Sequence, residues 1–274
     1  MDLTIKKLYI DTRYKNPNSK SNSDFSIDLP RQFNIPDKTV CYVDDIILPV
    51  SWSTINKYNK LLYIYIYYSS IDIHRYVYLT EGNYSGNTFS TMFESVLNST
   101  FDDIPITFTV GYNFENNILT LTFVDGRTQP PVDTMLVSMA SDETLKTGWG
   151  GLMFPKPDSA NEILNNDVTT SFNQTGSYET YLDLHSRRNI YLISSMLSNY
   201  DTVSTFGIEN IIKKIPVTVN TNSIIYDGAS EGFDYITVSN KSLRTIDFKL
   251  IDTFGNIIDM RNTHWSMSLV FVKQ

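Results

Sequence analysis

Apolar and polar residues alternate along much of the chain, and the alternation sets most of the expected elements. In Phe25-Ser26-Ile27-Asp28-Leu29 the apolar side chains face one way and the polar ones the other, which predicts a strand with one face on a core, ended by Pro30. Residues 39–49 predict a second strand that is apolar on both faces, with Cys41, Val43 and Ile47 set against Val40, Tyr42, Ile46 and Leu48. The doublet Asp44-Asp45 interrupts both faces at once and predicts a bulge or bend.

The same pattern closes the chain. Ile246, Phe248 and Leu250 alternate with Thr245, Asp247 and Lys249, a turn signal follows at 252–256, and Trp265, Met267, Leu269 and Phe271 alternate with Ser266 and Ser268. Further strands are expected at 178–184, 189–196, 210–219 and 232–238, between clusters of Gly, Asn, Asp and Ser.

The middle of the chain has a different period. Phe89, Phe93, Val96 and Leu97 recur at helical spacing after the turn residues 82–86, so a short amphipathic helix is predicted over 88–98. A hairpin follows, with Ile106, Phe108 and Val110 inward on one strand and Leu119, Leu121 and Phe123 on the other. A second short helix is expected from Ser141, where Asp142 and Glu143 suit a helix N-terminus, to a stop at Gly148. Residues 150–176 lack periodicity and are expected as a long surface loop, and residues 15–23 form a similar polar stretch after the first strand. These shifts divide the chain into a discontinuous domain, 1–58 plus 177–274, around an inserted α/β subdomain, 59–176.

Composition narrows the function. With 18 Tyr and 15 Phe beside many Ile, Val and Thr, the chain is suited to half-buried pleated surfaces. Its formal charge of −8 argues against work on phosphates. Lys6-Lys7, Arg187-Arg188 and Lys213-Lys214 are isolated pairs rather than one basic groove, so no direct nucleic-acid binding is expected. The single cysteine, Cys41, leaves no internal disulfide to form. No stretch has the apolar length of a membrane span or the pattern of a secretion signal, so a soluble, untargeted protein is expected.

Candidate chemistry is sparse. His74, His185 and His264 are far apart in sequence, whereas a metal site gathers three or four ligands. Cys41 sits between apolar neighbours with Asp44 and Asp45 close by, a setting that disfavours a reactive thiolate. Asp44-Asp45 and Asp102-Asp103 are adjacent residues, which on a strand point to opposite faces and cannot serve one substrate. The glycines of 148–151 lack the strand, helix and following Lys-Ser/Thr of a phosphate cradle. No catalytic, cofactor-binding or metal-binding residues are therefore assigned, and no enzyme activity is expected.

The most unusual stretch is Leu62-Tyr63-Ile64-Tyr65-Ile66-Tyr67-Tyr68, continued by Tyr76 and Tyr78. Alternation places Tyr63, Tyr65 and Tyr67 on one face and Leu62, Ile64 and Ile66 on the other. Such a stripe serves as the second face of a buried strand, as a protein contact surface, or as a platform for bases or sugars. Tyr63, Tyr65 and Tyr67 are the interface candidates.

The order of segments resembles a known family. Tyr9-Ile10-Asp11-Thr12-Arg13-Tyr14, a polar stretch, then Ser23-Asp24-Phe25-Ser26-Ile27-Asp28-Leu29 and Val40-Cys41-Tyr42-Val43-Asp44-Asp45-Ile46-Ile47-Leu48-Pro49 resemble the start of the penton and minor capsid proteins of virophage-like and polinton-like viruses. Leu79-Thr80-Glu81-Gly82-Asn83-Tyr84-Ser85 is similar to that family's turn into an inserted helix, and 243–250, 252–256 and 264–271 resemble its last two strands. The resemblance implies a mainly β protein, a single jelly-roll β-sandwich with a small inserted α/β subdomain. It also implies a virion location and a structural role as a homopentameric penton beside the major capsid protein, with no active-site residues to carry over. A minor capsid cement protein and a receptor- or glycan-binding attachment module are the alternative readings.

Overall fold

The computed structural model describes residues 5–127, 134–140, 168–185, 187–197, 202–204, 207–228, 235–239 and 241–274. The chain is mainly β, a single jelly-roll sandwich carrying an inserted subdomain. It divides into two compact units, Met1–Trp52 with Arg187–Gln274, and Ser53–Ser186.

The first unit opens with β1 (Ile5–Asp11), β2 (Asp24–Asn34) and β3 (Thr39–Pro49). The second unit then contributes β4 (Leu61–Tyr68), β5 (Ile71–Tyr78), α1 (Gly86–Thr100), β6 (Ile106–Asn113), β7 (Ile118–Asp125), β8 (Met135–Ala140), β9 (Val168–Phe172) and β10 (Thr175–Tyr181). The chain returns to the first unit for β11 (Asn189–Ile193), β12 (Ile211–Pro216), β13 (Ile224–Gly228), β14 (Ile236–Thr237), β15 (Ser242–Ile251) and β16 (Ser266–Lys273).

Two antiparallel sheets make the first unit, ordered β1-β16-β3-β13 and β12-β11-β15-β2, with β14 also pairing with β3. That is the eight-stranded order of a jelly roll, with both ends of the chain contributing strands to each sheet. The inner faces meet in one core that includes Phe25, Ile46, Leu48, Ile190, Phe248, Trp265 and Phe271. Phe25 packs at a tilt against Phe248 and edge-on to Trp265, with centroids 5.5 and 5.6 Å apart.

The bulge expected at Asp44-Asp45 is present. Ser268 pairs with Asp45 but Leu269 pairs with Val43, so Asp44 is the extra residue. Its consequence reverses the expected facing of Ile47. Before the bulge Cys41 and Val43 point into the core; after it Ile46 and Leu48 do, and Ile47 is turned outward at 42% exposure. Pro30 does not end β2 either. It lies where the register slips between Thr245↔Asp28 and Leu243↔Phe33, a bulge that tolerates its missing N–H.

The polar stretch 15–23 is built into the sandwich. Asn22 and Ser23 are buried, the Trp265 indole N–H donates to Asn22 O at 2.6 Å, and Asn22 Nδ2 donates to Thr263 O at 2.9 Å. The segment expected at 178–184 forms β10 in the second unit, where it pairs with β7. Part of the expected loop is strand as well, since β9 occupies 168–172 and pairs with β8. The helix expected at 141–148 lies outside the described residues.

In the second unit the sheets run β5-β4-β8-β9 and β10-β7-β6. Helix α1 begins two residues before its expected start, at a capping box in which Ser85 Oγ accepts from Thr88 N–H and Thr88 Oγ1 accepts from Ser85 N–H. Phe89, Phe93 and Leu97 are fully buried with Phe108, Phe123, Ile64 and Ile66. Two polar residues of α1 complete the edge strand β6. Asn98 donates to Phe108 O at 2.8 Å and accepts from Phe108 N–H at 2.9 Å, and Glu94 Oε2 accepts from Val110 N–H at 2.8 Å. The edge groups that would otherwise template another strand are thus occupied by side chains.

Candidate assembly surfaces

The tyrosine stripe lies on β4, whose alternate residues Leu62, Ile64 and Ile66 are in the second core. Tyr63 pairs in register with Tyr76, Tyr65 with His74, and Tyr67 with Asp72, so all six share the opposite face. The stripe is graded. Tyr63 is 9% exposed, while Tyr67, Tyr76 and Tyr78 are 38, 41 and 60% exposed.

Polar tips tie the inner part together. Tyr63 Oη and His74 Nδ1 are 2.6 Å apart, and Tyr65 Oη donates to Asp72 Oδ1 at 2.6 Å. Burial, followed by the hydrogen bond to Asp72, pushes the Tyr65 hydroxyl up to about 12. Tyr63 also meets Tyr76 edge-on with centroids 5.1 Å apart. His74 therefore belongs to this aromatic cluster. The other two histidines lie elsewhere in the chain: His264 Nδ1 is 3.3 Å from Thr12 Oγ1, and His185 donates its backbone N–H to Asp183.

Among the described residues no three His, Cys, Asp or Glu side chains gather as metal ligands, and no helix is long and apolar enough to cross a membrane. Cys41 is buried, and desolvation raises its thiol far above the usual range. Asp102 and Asp103 occupy a turn, where Asp103 forms a two-pronged ion pair with Arg75.

A second surface, absent from the expectations above, covers the outside of the β1-β16-β3-β13 sheet. Ile5, Tyr9, Ile47, Ile224 and Tyr226 stand there at 55, 76, 42, 60 and 73% exposure. Register links them. Tyr226 is opposite Ile47, Tyr9 is opposite Ser268, and Ile5 is opposite Val272, which in turn faces Val40. Val40 and Val270, on the same face, are buried yet lie outside the sandwich core. A Lys7–Asp44 ion pair of 3.2 Å crosses the face at the bulge and raises the lysine's affinity for its proton. The sequence signal for this surface is the two-faced apolar pattern of residues 39–49, but the phase slip at Asp44 hides which residues face out.

Comparison with known proteins places the fold. No family model matches the chain, and no curated protein matches it. Among solved structures it is similar to the crystal structure of the mavirus penton protein, with a TM-score of 0.54 and 11% identity, over 98% of this chain and 99% of that one. At that identity the likeness concerns the fold, which it spans from end to end.

Proposed function

We propose that this chain is a structural capsid protein, a penton that closes the fivefold vertices of an icosahedral virus of the virophage or polinton-like kind. The single observation that carries the reading is the full-length likeness to a penton protein, which takes in the insertion as well as the sandwich. Exposed aromatic and aliphatic side chains on sheet faces agree with a role in assembly, where such residues supply most of the binding energy. Five copies would meet through heterologous side-to-side contacts, with the major capsid protein as the surrounding partner and the virion as location. No cofactor and no catalytic step belong to this role.

Light scattering on the purified chain over a range of concentrations tests it. A particle of five chains supports the penton, and a stable trimer rules it out. A monomer that joins particles only beside the major capsid protein, without fivefold closure, moves the reading to a minor capsid cement protein.

The outer tyrosines favour one second reading, an attachment module. Tyr67, Tyr76 and Tyr78 are exposed beside the polar tips of Asp72 and His74, a mixture that suits sugar stacking. Glycan-array binding lost in Tyr76→Ala and Tyr78→Ala, with folding intact, supports that role.

A further inference from the structure

We infer that the outer face of the β1-β16-β3-β13 sheet is where one copy of this chain docks on the next. The inference rests on the assembly reading and adds the surface that performs it. Its first support is the contrast between the two outer faces of the sandwich.

On the opposite sheet the outward residues of β2 and β15 are Asp24, Ser26, Asp28, Thr245, Asp247 and Lys249. Three of them are tied to one another or to the neighbouring loop. Thr245 Oγ1 donates to Asp28 at 2.7 Å, and Asp247 accepts from the backbone N–H groups of Ser195 and Met196 at 3.1 and 2.9 Å. Among the described residues, none of the large apolar side chains exposed by this unit lies on β2, β11, β12 or β15. Five of them lie on β1, β3 and β13, on one face of one sheet.

The second support is size. At the exposures given, two tyrosines and three isoleucines present roughly 600 Å² of apolar surface, the upper end of what a monomer shows. One partner's share of a standard interface is about 800 Å², which the surrounding Lys7, Asp44 and Asp45 bring within reach.

Charge indicates what kind of partner fits. Lys7 is already paired with Asp44, so the face has neither the cationic excess a polyanion needs nor a strong field of one sign. A second copy of the same chain meets no repulsion there. The bulge contributes directly, because unbroken alternation through Asp44 and Asp45 would turn Ile47 inward and remove the middle of the patch.

The test uses the full chain with Tyr9→Ser and Tyr226→Ser combined, both side chains pointing away from the core, and Lys249→Ser on the polar face as control. Sedimentation velocity across concentrations reads the assembly, and thermal melting verifies the fold. We expect self-association of the wild type, a loss of at least about 100-fold in the double variant from the two most exposed aromatics of the face, and no change in the control. A double variant that assembles like wild type overturns the inference while leaving the capsid reading in place. A wild type that stays monomeric at every concentration also overturns it, since the partner is then not a second copy. If the serine pair lowers the melting temperature, Ile224→Lys on the edge strand β13 carries the same test.

Discussion

Replacing Asn98 with alanine is expected to loosen one edge of the second unit by an amount that follows from its geometry. The side chain makes two hydrogen bonds to the backbone of Phe108, at 2.8 and 2.9 Å, in the manner of a neighbouring strand. Each contributes about 1 kcal/mol net, and their loss orphans a donor and an acceptor on β6, so the gross cost is about 2–3 kcal/mol. Alanine returns roughly 0.5 kcal/mol through its better helix propensity, which leaves about 2 kcal/mol. Because the chain has two units, a single unfolding midpoint is a poor reporter. Native-state hydrogen exchange at the Phe108 amide reads the edge itself, and protection there should fall roughly thirtyfold. Glu94→Gln should lower protection at Val110 by a smaller factor, since one bond is weakened rather than two lost. If Phe108 keeps wild-type protection in Asn98→Ala, the helix does not close this edge and the reasoning fails.

Three further outcomes are expected. Gly86→Ala places a methyl group 2.1 Å from the Tyr112 ring, whose hydroxyl is held by Asn117 at 2.7 Å, so the ring must move; a cost of about 1–3 kcal/mol should appear in chemical denaturation of the second unit. Cys41 should resist thiol reagents in the native protein and react at the rate of sandwich unfolding, and fast native labelling would contradict its burial. Tyr65 is neutral-favoured in the folded chain, so its contribution, up to about 2 kcal/mol, is complete below pH ~10 and is lost as pH rises from ~10 to about 12. Ultraviolet difference titration of wild type against Tyr65→Phe should show one late-ionising tyrosine, and Asp72→Asn should bring it down without abolishing the shift that burial causes.

How much of this was legible in the sequence differs by element. Period-two alternation marks β2 and β15 because each has one face on the core and one towards water; it marks β16 through Ser266 and Ser268, although Ser268 and Val270 are themselves buried; and helical spacing marks α1 through Phe89, Phe93 and Leu97. The pattern predicts no strand at β13, since Ile224-Ile225-Tyr226 is too short and too apolar to show a period. The tyrosine stripe was visible as alternation, yet its grading from 9 to 60% exposure depends on cross-strand neighbours on β5 that the pattern cannot pair. The outer face of the sandwich was hidden for a more specific reason. A one-residue bulge exchanges the two faces of a strand, so alternation places Ile47 with Cys41 and Val43 although only the latter two reach the core.

The strand order also dictates when each unit can fold. β1 has its partner in β16, β2 in β15 and β3 in β13, β14 and β16, so during synthesis residues 5–49 have none of these partners until residues 224–273 have been made. The inserted unit is different, because β4–β5 and β6–β7 are hairpins that close over a few residues. Local contacts form early and distant ones wait for loop closure. The insertion therefore acquires structure first and holds the two halves of the sandwich on one chain while the second half is made. During that interval the exposed strands β1 to β3 are the segment most in need of protection from aggregation.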